Sequence, residues 1–209
     1  MSLSAPEWRR LWESLGAQTV PQGLLNQLIS AYSEGHRRYH TLLHLRECFA
    51  HFDAGRALAR QPEAVELALW FHDAVYDPRR SDNEERSADW AHASLLAAGC
   101  TAETADRVRS LVLATRHGGE PPAADPDTDL LLDVDLAILG SAPARYDDYT
   151  REVRAEYAHV AESSFRARRA DVLQTFLDRA RVYRTEAFHA ALEGRARENL
   201  QRELAQLRA

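Results

Sequence analysis

The stretch Trp70-Phe71-His72-Asp73-Ala74-Val75-Tyr76-Asp77 places a histidine beside an aspartate inside an apolar run, Val65 to Tyr76, that otherwise reads as a buried helix. Burying an unpaired carboxylate costs roughly several kcal/mol, so such a pair needs compensation. A histidine partner alone would supply it. A divalent cation shared by His72 and Asp73 would also supply it, and would need further ligands from elsewhere in the chain.

Three other places offer such ligands. His40 and His44, in Tyr39-His40-Thr41-Leu42-Leu43-His44, are four apart, which puts them on one helix face a turn from each other. Zinc, manganese or iron accepts imidazole in such a position; the alternative is two partly exposed histidines near a helix start. Asp133 and Asp135 lie two apart in Leu130-Leu131-Leu132-Asp133-Val134-Asp135-Leu136-Ala137-Ile138-Leu139, so on a helix they point in nearly opposite directions. Asp135 has Leu131, Leu132, Ile138 and Leu139 as helical neighbours, whereas Asp133 has Asp129 and Ala137. Asp135 is therefore expected to be the buried carboxylate and the ligand, with Asp133 facing solvent or capping a neighbour; a buried aspartate paired with an arginine is the plainer alternative. His117 ends a helical pattern, where it reads either as a ligand or as a C-terminal capping charge. Glu84 and Glu85 are acids that a solvated first helical turn also explains. His36, His51, His92, His159 and His189 have no spacing to support a role.

Taken together, His44, His72, Asp73 and Asp135 form a mixed nitrogen and oxygen set. Four protein groups on an octahedral ion leave positions for water and substrate, which suits a catalytic metal. Such a metal lowers the pKa of a bound water toward neutrality and polarises the oxygens of a phosphorus ester or anhydride.

The elements that must carry these residues are helical. Nearly every segment shows helical spacing and none alternates convincingly as a strand. Helices are expected from Pro6 to Gly16, from Pro21 to about Gly35, from about His40 to Phe52, and from Pro62 through His72-Asp73. A polar connection spans Pro78 to Asn83. Asn83 is expected to cap a fifth helix ending at Gly99, and Thr101 a sixth reaching about His117. Gly118 to Asp127 is the longest loop, either a flap or a plain connection. The pattern continues with helices from about Asp127 to Leu139, from Pro143, from Phe165 to Ala180 and from Thr185 to Leu207. This predicts an all-α fold of about ten helices in one domain over 1–209, its core at about 22–180 and a C-terminal helix at 185–207.

The 209 residues carry 26 Lys+Arg against 32 Asp+Glu, a net charge of −6, with arginine carrying the positive charge. That balance gives no support for general nucleic-acid binding, though local arginine clusters suit phosphate. Cys48 and Cys100 form no CxxC pair, which argues against a zinc ribbon or redox motif and for a reducing compartment. No signal core and no membrane-length apolar stretch is evident, so the expected location is the cytoplasm.

The motifs Arg38-Tyr39-His40-Thr41-Leu42-Leu43-His44, Trp70 to Asp77, Asn83-Glu84-Glu85-Arg86-Ser87-Ala88 and Asp133 to Gly140, in the order His…His-Asp…Asp, resemble the HD-domain superfamily, and within it a bacterial group described as predicted metal-dependent HD phosphohydrolases. The similarity covers roughly Gln22 to Leu204. The resemblance implies that His44, His72, Asp73 and Asp135 bind the metal. The Tyr-His-x-x-x-His piece is also similar to that of cyclic-nucleotide phosphodiesterases, which implies His40 as general acid. His117 resembles a histidine that two-metal members place at a helix end, where it would serve a second metal. Their other histidine is replaced here by Glu84-Glu85-Arg86, which implies Glu84 or Glu85 as a water-orienting acid. Tyr76 stands where alarmone hydrolases of this superfamily carry Glu.

The expected function is hydrolysis of a phosphate ester or anhydride of a nucleotide or similar small metabolite, with Mn, Fe, Co, Ni, Mg or Zn as cofactor. The alternatives are an HD-type di-iron oxygenase and a non-catalytic nucleotide-sensing HD module. Arg37, Arg38, Arg79, Arg80, Arg86 and Arg116 adjoin the motifs and could hold substrate phosphates, with Arg38, Arg86 and Arg116 foremost. No membrane partner is expected, and a homodimer is left open.

Overall fold

The segment before His72 is apolar apart from Glu63 and Glu66, and a helix that is hydrophobic around most of its surface belongs in a core. A computed structural model, which describes residues 5–116 and 124–209, places it there. Among the described residues the chain has ten α-helices and no strand: α1 (Ala5–Ser14), α2 (Leu24–Ala31), α3 (Leu42–Gly55), α4 (Pro62–Phe71), α5 (Asn83–Ala97), α6 (Ala102–Ala114), α7 (Pro126–Asp135), α8 (Pro143–Glu156), α9 (Glu162–Leu177) and α10 (Glu186–Arg208). Short 3-10 turns follow α3 at Arg56–Leu58 and α7 at Leu136–Gly140. No helix among the described residues is long and apolar enough to cross a membrane.

The chain divides into two compact units, Met1–Val134 and Asp135–Ala209. In the first, α4 is the central helix. It packs against α1, α3, α5 and α6, and α5 pairs with α6. Ala64, Val65, Leu67, Ala68, Leu69, Trp70 and Phe71 are all buried. Trp8 crosses Trp70 edge-on at 5.4 Å between ring centroids, and Phe49 lies 5.2 Å from the same ring. Asp127, itself buried, closes the start of α4: its Oδ1 accepts from the amides of Arg60 (2.6 Å) and Gln61 (3.1 Å), and its Oδ2 from Arg107 (2.6 Å). A carboxylate there suits the positive end of the helix dipole. Thr101 caps α6 as its type predicts, accepting from the Thr104 amide.

In the second unit, α10 packs against α9 and against the Leu136–Gly140 turn. Asn199 donates to the carbonyls of Leu139 (2.9 Å) and Ser141 (3.0 Å), and the Tyr183 hydroxyl to that of Leu136 (3.1 Å). Arg169 bridges Glu203 and the Tyr149 hydroxyl, and Tyr146 donates to Glu203, so a buried charge pair comes with its lone pairs filled. Glu193 accepts from the amides of Val182 and Tyr183 and from Arg197.

Several element boundaries differ from expectation, among them α2, which spans only Leu24–Ala31, and α9, which spans Glu162–Leu177. The helix expected to contain His72-Asp73 stops at Phe71, with His72 at its C-cap. The third begins at Leu42, after the Thr41 cap, rather than at His40. The seventh ends at Asp135, and Leu136–Gly140 tightens into a 3-10 turn. Asn83 is the first residue of α5 and not its cap, because its side-chain amide is engaged with the backbone of Asp77. Most of the expected loop from Gly118 to Asp127 lies outside the described residues.

Two stability predictions follow from the second unit. A methyl added at Gly140 would lie 2.6 Å from Leu192 Cβ and 2.9 Å from the Tyr183 hydroxyl oxygen, so Gly140→Ala is expected to cost ~1–3 kcal/mol in urea unfolding. For Glu193, burial opposes ionisation, but the amides of Val182 and Tyr183 and the Arg197 guanidinium outweigh it and hold the carboxyl below the usual glutamate range. A depressed folded value stabilises above the unfolded value, ~4.3, and that contribution is lost as pH falls through the folded value. Glu193→Gln is therefore expected to be less stable than the parent at neutral pH, with the gap between their unfolding midpoints narrowing below about pH 4. A gap independent of pH would contradict this.

Candidate metal centre

The end of α4 creates the site. A helix leaves its last four carbonyls without intrahelical partners, and here each finds one. Ala68 accepts from the His72 amide (2.8 Å) and Phe71 from the Ala74 amide (2.9 Å). Trp70 accepts from the Tyr32 hydroxyl (3.3 Å), which burial and the nearby Asp73 carboxylate keep protonated far above tyrosine's ordinary range. Leu69 accepts from His72 Nδ1 at 2.7 Å. A carbonyl only accepts, so this bond assigns the ring proton to Nδ1 and leaves the lone pair of Nε2 pointing away from the helix.

That lone pair meets two other ligand atoms. His44, buried on the first turn of α3, brings its Nε2 to 3.1 Å from His72 Nε2. Asp73 Oδ2 lies 3.1 Å from His72 Nε2 and 3.6 Å from His44 Nε2. Ligand atoms held ~2.1 Å from one ion stand ~3 Å apart across a right angle and ~3.5 Å apart at wider angles. The three atoms are thus spaced as neighbouring vertices of a coordination shell. Asp135, the last residue of α7, completes a second overlapping group: His44, Cys48, His72 and Asp135 each offer a ligand atom within 4.8 Å of the others. This group could hold a metal ion.

Cys48 was not singled out by the sequence reading, although its spacing of four from His44 puts both on one face of α3. Its thiol is 3.6 Å from both ring nitrogens of His44. An atom equidistant from both nitrogens sits over the ring or beyond Cε1, off the Nε2 lone-pair axis. An ion ~2.1 Å out along that axis would stand roughly 4 Å or more from the sulfur, against ~2.3 Å for a zinc–thiolate bond. In the observed rotamer Cys48 packs against the imidazole and would ligate only after rotating.

The loop after His72 is held almost entirely by side chains. Arg37 donates to the carbonyls of Asp73 (2.7 Å) and Ala74 (3.1 Å). Ser87 Oγ accepts from the Val75 amide (3.0 Å) and donates to its carbonyl (3.4 Å). His36 Nε2 donates to the Tyr76 carbonyl (2.8 Å), and the Asn83 amide pairs with both backbone groups of Asp77 (3.1 and 2.9 Å). A loop so pinned holds Asp73 at a set position without help from a regular ladder.

The expected aspartate exposures are reversed. Asp133 is fully buried, while Asp135, the member of the ligand group, is only partly so. Helical neighbours describe a helix surface but not what packs on it. Asp133 is covered on all sides and has interactions of its own, while Asp135 keeps some exposure. His40 is half-buried ahead of α3 rather than on its face, and stacks on Tyr76 at 4.1 Å, with its ring centroid 5.9 Å from that of His44. Glu85 pairs with Arg116, and Glu84 is partly exposed on the same turn. Arg86 is exposed, and Arg38 donates to the carbonyls of Gly35 and Arg37. Arg37, expected among the phosphate-binding arginines, is instead buried against backbone. His117 lies outside the described residues.

The two aspartates separate by experiment. Asp135→Asn is expected to lower cobalt or zinc affinity about tenfold or more while leaving the fold intact. Asp133→Asn is expected to lower the unfolding midpoint while the folded protein keeps its metal affinity; isothermal titration and thermal unfolding of both variants read this out, and the opposite pattern would reverse the assignment.

No family model matches this chain, and no curated protein or solved structure does either.

Proposed function

We propose that this chain is a metal-dependent phosphohydrolase of the HD type, acting on a phosphate ester or anhydride of a nucleotide or similar small metabolite. The observation that carries the reading is the convergence of His44 Nε2, His72 Nε2 and Asp73 Oδ2, with the His72 tautomer set by the Leu69 carbonyl. When bound, a divalent ion supplies an acidified water and polarises a phosphoryl oxygen. His44 and His72 present ring nitrogens to it, and Asp73 and Asp135, both only partly buried, contribute negative charge.

In this reading His40 donates a proton to the leaving oxygen. Its ring stands clear of the ligand pair and is held against Tyr76, so it can reach a group bound beside the metal without ligating. Glu84 and Glu85 are the acids assigned to orienting water, with Glu85 engaged by Arg116 until substrate arrives. Arg38, Arg86 and Arg116 are assigned to the substrate's phosphates, Arg116 by exchanging its carboxylate partner for phosphate. His117 is assigned to a second ion. The compartment assigned is the cytoplasm.

The test is a screen of protein reconstituted with manganese, cobalt, zinc or magnesium over nucleotides and generic phosphomonoesters and phosphodiesters. Turnover is expected to need the ion, to fall at least ~10³-fold in Asp73→Ala, and to fall ~10²–10⁴-fold in His40→Ala with metal content kept. Activity surviving Asp73→Ala, or a protein that binds no divalent ion, overturns the mechanism. Thermal stabilisation by nucleotides without turnover in any metal form would replace it with a sensing module.

A further inference from the structure

Arg37 is an arginine without a surface. Its residue exposure is 3%, and its guanidinium lies between the rings of Tyr32 and Tyr76, 5.3 Å from each centroid. Its one acidic partner among the described residues is Glu34, at 3.1 Å, whose side chain is 47% exposed. The remaining bonds go to backbone: His40 O (3.1 Å), Asp73 O (2.7 Å) and Ala74 O (3.1 Å). A buried cation is expensive to desolvate, and an apolar side chain of similar volume would fill the same space between two tyrosines. What it could not do is satisfy three carbonyls that belong to the loop of the metal centre and to its neighbour His40. Lysine carries the charge but lacks the planar fork that reaches several carbonyls at once.

We infer that Arg37 is a positioning residue for the metal centre: by clamping the carbonyls of Asp73, Ala74 and His40 it holds the Asp73 carboxylate within reach of both imidazoles and keeps His40 against Tyr76. The inference rests on the metal reading above. It opposes a simple electrostatic expectation. A positive charge behind a cation site repels the cation, so if charge alone mattered, removing it would tighten metal binding. If position matters, removing it loosens binding, because a ligand held by its outer partners loses about 10–100-fold in metal affinity when they go.

The experiment compares cobalt binding in the parent, Arg37→Met, Arg37→Lys and the control Leu111→Ala, a buried core change on α6 chosen to lower stability without touching the site. Each is titrated by calorimetry and by the visible absorption of bound cobalt, with folding checked by circular dichroism. The expected result is an affinity loss of about tenfold or more in Arg37→Met, a changed cobalt spectrum, a smaller loss in Arg37→Lys, and parent-like affinity and spectrum in Leu111→Ala. Unchanged or tighter binding in folded Arg37→Met overturns the inference. Should that variant fail to fold, Arg37→Lys decides it: parent affinity and spectrum there overturn it too. A parent that binds no cobalt overturns the metal reading itself, and is told apart because it fails before any substitution is made.

Discussion

The C-terminal end of α4 is the constraint from which the rest of the candidate metal centre follows. A buried helix cannot leave its last carbonyls bare, because water is not there to take them. Ala68, Leu69, Trp70 and Phe71 are satisfied by His72, Tyr32 and Ala74, and the His72 ring is one of those partners. A structural need of the helix thus sets the tautomer of a candidate ligand. One hydrogen bond completes the backbone and also aims a lone pair at His44 and Asp73.

The same helix is bracketed by charge. Asp127 sits at its amino end and Arg37 beyond its carboxyl end, each matched in sign to the helix dipole. Both come from other elements, so the bracket also ties α7 and the segment after α2 to α4. Between the helix end and α5 the chain forms no regular ladder, yet side chains of Tyr32, Arg37, Ser87, His36 and Asn83 take up nearly all of its backbone groups from Asp73 to Asp77. Rigidity there comes from polar side chains, which is why residues of modest individual promise matter as a group.

Several of these features were legible in the sequence. Helical periodicity and the Pro, Thr and Gly punctuation gave the helix order, because those signals act within a few residues. The residue types at 44, 72, 73 and 135 were legible as candidate ligands, since few arrangements reconcile a carboxylate with an apolar run. Boundaries were less so. Asn83 looks like a cap by type, but a competing bond to Asp77, fixed only in three dimensions, takes its side chain. His40 and His44 have helical spacing, but Thr41 caps the helix between them.

By itself, then, the sequence determined the all-α class, the order of the helices and the kinds of ligand available, because these depend on local propensity and on the chemistry of each side chain. Only the tertiary structure decided which groups meet. Asp133 is the fully buried aspartate and Asp135 the one beside the histidines, Cys48 leans on the His44 ring, and Arg37 faces backbone instead of phosphate. Burial and partnership are properties of the elements packed against a face, and a helical wheel carries no information about them.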